Sequence, residues 1–324
     1  MESKRNQICN DEDILSTLEK RAGLNLFNHD LVEYQGFWYP DMAVVTRTLS
    51  AQRQFQAQSS DVFLCSAPKT GTTWLKALSF AIVSRTTVVD DGSTAANPFH
   101  SKLPHGCLPL LEISVTNRDP NNPLIATHLP FSSLPESVSG CRIVYVCRDP
   151  KDTFVSMYHF LAKLATSRNM EPVHLDKAFE LFCNGESFYG PYWDHVLGYW
   201  NASLEQPDRI LFLKYEEMME DACFYTKKLA EFMGYGFTLE EEKKGMVEKI
   251  VEMCSFENLR NLEVNKDGKV GKNGPWEMKN NLFFREGRIR DWENHLTPDM
   301  AKHMDFITHS KLSGSDLNLL YHKK

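Results

Sequence analysis

Several features that define particular classes of protein are absent from this sequence. Its eight cysteines form no CxxC pair and are too sparse for a disulfide-stapled domain, so we expect reduced thiols. No stretch approaches the ~20 consecutive apolar residues of a membrane span. Residues 1–7 are polar and lack the apolar core of a signal peptide. We therefore expect a cytoplasmic protein that makes no membrane contact.

Excess positive charge is also absent. The chain has 36 Lys and Arg residues against 43 Asp and Glu residues, which gives a net charge of −7. Because nucleic-acid-binding domains are usually basic, we expect no nucleic-acid partner. A local cluster of Lys and Arg can nevertheless bind an anionic cofactor on an acidic protein. The sequence contains no HExxH motif and no Cys or His pair at ligand spacing, so it predicts no metal site.

The length and composition are those of one large folded domain. The 324 residues are 42% hydrophobic and 24% charged, as in ordinary globular proteins. A chain of this size can bury a sizeable core. We expect a disordered N-terminus over residues 1–12 and a single domain over residues 13–324.

Short apolar runs alternate with helical patterns along the chain. The runs occupy residues 62–65, 124–127, 142–147 and 210–213. This alternation predicts a single α/β domain in which a mostly parallel central sheet is flanked by helices. A residue capable of chemistry follows each run, and these residues are Lys69, His128, Arg148 and Tyr215. Because ligands bind at the carboxyl ends of such strands, we expect these side chains to share a site.

The first run leads into the segment Ala-Pro-Lys-Thr-Gly-Thr-Thr-Trp at residues 67–74. A strand, a glycine-containing turn and a helix N-terminus form an anion cradle, because unpaired backbone N–H groups and the helix dipole converge there. Lys69 adds a positive charge and the threonines add hydroxyl donors. The segment therefore predicts a phosphate-binding loop of P-loop-like architecture. In nucleotide hydrolases the lysine directly follows the second glycine, whereas Lys69 precedes Gly71, so a nucleotide kinase is a remote alternative.

This loop resembles the 5′-phosphosulfate loop of the cytosolic sulfotransferases. Further segments that match this family lie at residues 127–130, 148–152 with Ser156, 215–217, 254–259, 283–287 and 291–292. Residues 35–38 and 126–130 look more like the plant branch, since the animal branch has a lysine where Ala126 stands. The resemblance covers nearly the whole chain beyond residue 35. It implies an enzyme that transfers the sulfuryl group of 3′-phosphoadenosine 5′-phosphosulfate (PAPS) to an acceptor.

The resemblance also implies roles for individual residues. His128 is the general base that takes the proton of the acceptor hydroxyl. Lys69 stabilises the negative charge that develops on the departing phosphate. Trp74 would lie against the adenine ring, although packing of this tryptophan in the core is equally compatible with the sequence. The residues expected to bind PAPS are Lys69, Thr70, Gly71, Thr72, Thr73, Trp74, Arg148, Ser156, Tyr215, Cys254, Ser255, Phe256, Arg285, Glu286 and Gly287.

The chain departs from the family pattern in the C-terminal loop that closes over the cofactor. Relatives usually have a lysine where Glu286 stands and a glycine where Arg290 stands. Arg288 and Arg290 could offset the charge of Glu286 near the 3′-phosphate, which Arg148, Ser156 and Arg285 are expected to hold. They could also pair with Glu286 directly. A catalytically silent relative that only binds PAPS or its desulfated product is therefore the alternative to an active enzyme.

The implied acceptor is a small molecule with a hydroxyl or an oxime on a mostly apolar frame. Acceptors of the plant branch include flavonoids, hydroxyjasmonates, brassinosteroids and desulfo-glucosinolates. Phe37, Phe131 and Tyr158 are candidate walls of an apolar acceptor pocket. The lysine-containing dimer motif of animal relatives is not evident near residues 264–274, so we favour a monomer, with a homodimer as the alternative.

Overall fold

The computed structural model of the chain describes residues 11–21, 30–88, 97–113, 119, 121–271 and 277–321. Of the N-terminus predicted to be disordered, residues 1–10 lie outside this described part, and residues 11 and 12 belong to the first helix. Of the segment 264–274, residues 272–274 lie outside it as well.

The described strands are β1 (Lys20–Arg21), β2 (Leu31–Tyr34), β3 (Phe37–Tyr39), β4 (Val62–Ser66), β5 (Leu124–Thr127), β6 (Arg142–Cys147), β7 (Ile210–Lys214), β8 (Lys269–Val270) and β9 (Met278–Lys279). The described α-helices are α1 (residues 11–17), α2 (Met42–Gln54), α3 (Thr72–Val88), α4 (Pro104–Cys107), α5 (Pro150–Ser167), α6 (Leu175–Cys183), α7 (Tyr192–Glu205), α8 (Tyr215–Glu220), α9 (Ala222–Met233), α10 (Leu239–Lys243), α11 (Met246–Met253), α12 (Phe256–Asn261), α13 (Glu263–Asp267) and α14 (Pro298–Leu312). Short 3₁₀ helices occupy Pro98–His100, Phe131–Ser133, Glu136–Gly140, Asn280–Phe283 and Asp291–Asn294. None of these helices is long and apolar enough to cross a membrane.

A parallel sheet with the strand order β5-β4-β6-β7 forms the centre of the domain. Phe63 of β4 is paired with Ile125 of β5 on one side and with Ile143 of β6 on the other. The remaining described strands form two separate antiparallel sheets, β1-β2-β3 and β8-β9. The predicted α/β fold with a parallel central sheet is confirmed.

Helices cover both faces of this central sheet. Successive side chains of a strand point to opposite faces, and in β4 Phe63 and Cys65 belong to one apolar core while Val62 and Leu64 belong to the other. Helices α5, α6, α7 and α14 contribute to the first core, and helices α3, α9 and α11 contribute to the second. β4 is buried throughout its length, and its first four residues form the continuous apolar run that is typical of a strand covered on both faces.

The carboxyl ends of the four central strands lie at one edge of the sheet because the strands are parallel. The loop at residues 67–71 follows β4, and His128 follows β5. Arg148 follows β6, and Tyr215 begins the helix after β7. The fold therefore places the predicted site residues along a single edge.

Candidate active site

A cavity of about 880 Å³ lies at the carboxyl edge of the central sheet. The residues predicted to share a site, Lys69, His128, Arg148 and Tyr215, all line it. Further predicted site residues in its wall are Gly71, Thr72, Thr73, Trp74, Ser156, Cys254, Ser255, Phe256, Arg285, Glu286 and Gly287. Segments far apart in the sequence are thus brought together around one cavity.

The predicted phosphate-binding loop connects β4 to α3. Its Thr70 is fully buried and lies outside the cavity wall, because the Thr70 hydroxyl is bound to the carbonyls of Ala67 at 2.8 Å and Val146 at 3.0 Å. The hydroxyls of Thr72 and Ser66 are 2.7 Å apart. Since α3 begins at Thr72, its N-terminal N–H groups and the positive end of its dipole lie in the cavity wall. Thr70 therefore anchors the loop to β6, while the start of α3 supplies the N–H groups of the predicted anion cradle.

Gly71 allows the loop to turn close beneath Tyr215. Its φ of +112° is a conformation that other L residues rarely adopt. A Cβ atom at this position would lie 2.7 Å from Cδ2 of Tyr215. Glycine is therefore required here by both the backbone conformation and the approach of the ring.

We expect Gly71→Ala to destabilise the protein by ~1–3 kcal/mol, the cost of holding an ordinary residue in a strained conformation. The same change should weaken binding of adenosine 3′,5′-bisphosphate (PAP), the desulfated form of PAPS, because the cradle is displaced. Chemical denaturation and calorimetry measure the two effects. Gly140→Ala is the control, since a Cβ there meets no atom within 4 Å. Equal stability and equal PAP affinity of the two variants would contradict the prediction.

Lys69 lies in a concentration of positive charge. Its φ of +71° is uncommon for a residue other than glycine, and such conformations cluster at functional sites. Its Nζ atom lies 4.2 Å from the centroid of the Phe160 ring. Burial, and after it the nearby guanidinium groups of Arg285 and Arg148, lower the pKa of Lys69 to about 7. A polyanionic ligand would relieve this repulsion, so the cavity is electrostatically suited to a phosphorylated molecule.

His128 is held in a single tautomer. Its Nδ1 donates a hydrogen bond to the carbonyl of Ser66 at 2.7 Å, since a carbonyl oxygen can only accept. Burial lowers the pKa of His128 to about 3, although the hydrogen bond to Ser66 opposes this effect. The imidazole is therefore neutral near pH 7, and its Nε2 carries no hydrogen. This nitrogen can accept a proton from a molecule in the cavity.

The buried side chains of Glu112 and His195 hold the backbone around His128. The Glu112 carboxylate accepts hydrogen bonds from the backbone N–H of His128 at 2.8 Å and from the hydroxyl of Thr127 at 2.7 Å. His195 donates from Nε2 to the carbonyl of His128 at 3.0 Å. Ser66 accepts from the imidazole of His128 and also contacts Thr72. The candidate base is thereby fixed relative to the phosphate-binding loop.

Three arginines in the cavity wall are oriented by carboxylates. Arg148 donates to the carbonyl of Arg288 at 2.7 Å and lies 3.4 Å from Asp152. Arg285 and Arg288 both pair with Asp291, which is 1% exposed. Although burial favours the neutral acid, these two guanidinium groups hold the pKa of Asp291 well below its usual range. The two arginines predicted to bind the 3′-phosphate, Arg148 and Arg285, thus belong to one ordered cluster.

The arrangement of the C-terminal loop decides which arginine accompanies Glu286. Arg288 lies 3.7 Å from the Glu286 carboxylate, whereas Arg290 pairs with Glu293. The backbone N–H of Arg290 donates to Asp152 at 2.7 Å. Arg290 has a φ of +62° at the position where relatives usually have glycine, and a left-handed conformation costs an L residue ~1–2 kcal/mol. Arg288, whose guanidinium is bound to Asp291, is therefore the arginine that lies near Glu286, while Arg290 secures the loop through its backbone.

Aromatic side chains form another part of the wall. The rings of Trp74 and Tyr215 are 5.7 Å apart and meet edge to face at 77°. Trp74 lines the cavity and also packs against the core beneath α3, so its core packing is observed, whereas its contact with adenine stays a prediction. Gly287 has a φ of +65°, and a Cβ there would lie 2.2 Å from the ring of Phe256. The hydroxyl of Ser255 caps α12 by accepting from the N–H of Asn258 at 3.2 Å, so this hydroxyl has a structural role within the wall.

The candidate acceptor walls chosen from the sequence do not line this cavity. Phe37, Phe131 and Tyr158 instead pack against the main core. The aromatic wall contains Phe160, Phe188 and Tyr189, and the apolar side chains of Leu110 and Ile113 extend it. Nothing in the sequence distinguishes Phe188 and Tyr189 from other aromatic residues, since they reach the cavity through the packing of a loop.

Sequence reasoning also missed three charged or titratable residues near His128. Lys76 and His105 line the cavity, and Glu112 binds the backbone of His128. Lys76 and Glu112 each interrupt an apolar stretch, at residues 74–78 and 108–113 respectively, and that interruption was the available signal. Among the described residues, no group of three or more His, Cys, Asp or Glu side chains could hold a metal ion. The expectation of a metal-free enzyme stays a prediction.

An anion cradle beside a neutral, proton-accepting imidazole is the arrangement of an enzyme that transfers a group from a phosphorylated donor. The family model for the sulfotransferase domain matches residues 59–316 of the chain. The chain belongs to the sulfotransferase family and is a sulfotransferase enzyme, as predicted from the sequence.

Known proteins similar to this chain include two from plants and one from mouse. A flavonol sulfotransferase-like protein of Flaveria bidentis is 50% identical over 317 residues, which cover 95% of this chain and 99% of the relative. Cytosolic sulfotransferase 16 of Arabidopsis thaliana is 45% identical, with 96% and 92% covered. The crystal structure of a mouse sulfotransferase complexed with PAP is 27% identical, with a TM-score of 0.66 and 88% and 96% covered.

Proposed function

We propose that this enzyme transfers the sulfuryl group of PAPS to a hydroxyl, or an oxime, of a small and mostly apolar acceptor. His128 is the general base and Lys69 stabilises the leaving phosphate. The observation that carries the proposal is the hydrogen bond between Nδ1 of His128 and the Ser66 carbonyl, which leaves Nε2 as the proton acceptor in the cavity that Lys69 also lines. Ser66 also links this base to the phosphate-binding loop. The mouse relative complexed with PAP supports PAPS as the donor.

PAPS supplies an activated sulfuryl group when it is bound. Nε2 of His128 takes the proton of the acceptor hydroxyl while the acceptor oxygen bonds to sulfur. The bond between sulfur and the bridging oxygen breaks, and its electron pair stays on the phosphate beside Lys69. The start of α3 holds the 5′-phosphate, and Arg148, Ser156 and Arg285 hold the 3′-phosphate. Catalysis by these residues rests on positioning and on charge stabilisation.

The test is turnover of labelled PAPS by the full chain against acceptors of several classes. Flavonols come first, because a relative is named flavonol sulfotransferase-like, and hydroxyjasmonates, brassinosteroids and desulfo-glucosinolates follow. Transfer to one class, unaffected by a metal chelator, is the expected result. PAP binding without any transfer would favour the silent relative, and dependence on Mg²⁺ would favour the nucleotide kinase.

A relative named cytosolic supports a cytoplasmic location. That location and the monomeric state stay predictions.

The proximity of Arg288 to Glu286 supports the active enzyme over the silent relative, because a guanidinium 3.7 Å from the carboxylate reduces the repulsion between Glu286 and the 3′-phosphate. We expect Glu286→Lys to tighten PAP binding by roughly threefold to tenfold, because a positive charge replaces a negative one near the 3′-phosphate. The gain is modest because the side chains of Glu286 and Arg288 are about half exposed and solvent screens their charges. Glu286→Gln should give a smaller gain. Calorimetry at two salt concentrations measures both, and the gain should shrink as the salt concentration rises. Weaker binding by Glu286→Lys would show that Glu286 itself supports the site.

A further inference from the structure

Lys76 is a buried lysine that the proposed reaction does not use. It lies in the second turn of α3, is 1% exposed and lines the cavity together with Thr73. Among the described residues, its ammonium has Nδ1 of His105 as its hydrogen-bond partner, at 3.4 Å. Burial lowers the pKa of Lys76 to about 8, with the carboxylate of Glu112 opposing this effect, so the ammonium is mostly charged at pH 7. Buried charges are usually paired and fully hydrogen-bonded, so a buried ammonium with one hydrogen-bond partner among the described residues indicates a specific role.

His105 connects Lys76 to the phosphate-binding loop. Its Nε2 lies 2.8 Å from Oγ1 of Thr73. Its ring lies against that of Phe283, with 4.2 Å between the centroids and 31° between the planes. Burial, and after it the positive charge of Lys76, lower the pKa of His105 well below its usual value. The imidazole is therefore neutral and carries one hydrogen.

The chemistry of Lys76 decides where that hydrogen is. A lysine ammonium can only donate, so Nδ1 of His105 must accept from it. The hydrogen of the neutral ring is then on Nε2, which donates to Oγ1 of Thr73. With its oxygen accepting from His105, the Thr73 hydroxyl keeps its own hydrogen for another partner. Thr73 lies at the start of α3 in the cavity wall, so its hydroxyl can donate to a molecule in the cavity.

We propose that Lys76 and His105 form a hydrogen-bond relay that makes the Thr73 hydroxyl a hydrogen-bond donor to the 5′-phosphate of bound PAPS or PAP. This proposal rests on the proposed function, because it takes PAPS and PAP as the ligands of the cavity. Lys76 and His105 are positioning residues, since they act through Thr73. Without Lys76 the His105 ring is free to place its hydrogen on Nδ1. The Thr73 hydroxyl would then donate to Nε2 and be lost to the phosphate.

The relay is tested by calorimetry of PAP binding to four single variants and one double variant. His105→Phe keeps the ring beside Phe283 but removes both nitrogens, Lys76→Met removes the donor at matched length, and Thr73→Val removes the hydroxyl. Each should weaken PAP binding by roughly fivefold to tenfold, as expected for one lost hydrogen bond. His105→Gln should bind PAP almost as the wild type does, because an amide can accept from Lys76 and donate to Thr73. Thr73→Val combined with His105→Phe should bind no more weakly than Thr73→Val alone.

Additive losses in the double variant, or equal losses in His105→Gln and His105→Phe, would overturn the relay. So would wild-type affinity in His105→Phe and Lys76→Met while Thr73→Val binds weakly, and that result would leave the proposed function intact. Failure of the wild type to bind PAP would overturn both proposals. Thermal denaturation identifies variants with altered folding. If His105→Phe does not fold, Lys76→Met still tests the relay, because methionine suits a buried position.

Discussion

Replacement of His128 by alanine is expected to lower kcat by ~10²–10⁴-fold, the usual contribution of a positioned general base. The reason is geometric, because the bond from Nδ1 to the Ser66 carbonyl leaves Nε2 of a neutral ring as the proton acceptor in the cavity. The affinity for PAP should remain close to that of the wild type, since the proposed phosphate contacts lie on other residues. Steady-state kinetics and calorimetry measure the two quantities.

His174→Ala is the matched control for this variant, because the His174 side chain is 81% exposed and lies outside the cavity wall. It should leave both kcat and PAP affinity unchanged. Retention of most activity by His128→Ala would remove His128 from the mechanism. A loss of PAP affinity as large as the loss of kcat would instead make His128 a binding residue.

Replacement of Lys69 by methionine is expected to reduce kcat by ~10²–10³-fold, the range found when one stabilising donor is removed from a transition state. Negative charge on the leaving phosphate grows as the bond to sulfur breaks, so Lys69 contributes more to the transition state than to ground-state binding. The effect on PAP affinity should therefore be smaller than the effect on kcat. Lys163→Met is the control, because Lys163 adds to the field at Lys69 but does not line the cavity.

Arg148→Ala should show the opposite balance, with a strongly raised KM for PAPS and a smaller change in kcat, because the 3′-phosphate carries the same charge before and during transfer. If Lys69→Met and Arg148→Ala changed kcat and the KM for PAPS in the same proportion, this division of roles would be wrong.

The pKa of Lys69 allows a second test of its role. An anion bound beside Lys69 raises that pKa from about 7, so PAP binding at pH 8 should take up protons. Calorimetry in buffers of different ionisation enthalpy detects this uptake, which Lys69→Met should reduce.

The phosphate-binding loop could be predicted because its structure is determined over a short stretch of chain. A buried strand, a turn that needs glycine at residue 71 and a helix beginning at Thr72 follow one another directly, and local backbone preferences specify each of them. The alternation of apolar runs and helices likewise predicted the parallel sheet. Once the sheet is parallel, the strand ends share one edge, so Lys69, His128 and Arg148 had to lie near each other.

The contacts between distant segments were decided by tertiary structure. We could predict the fold class, the loop and the strand-end residues from the sequence alone, because these depend on neighbours in the chain. The sequence did not show that Arg288 rather than Arg290 pairs with Glu286, or that His105 reaches Thr73. It also selected Phe37 as an acceptor wall, whereas packing places Phe188, and not Phe37, in the wall of the cavity. Such contacts depend on how helices and loops pack across the sheet, and side chains separated by many residues meet only when the whole core has formed.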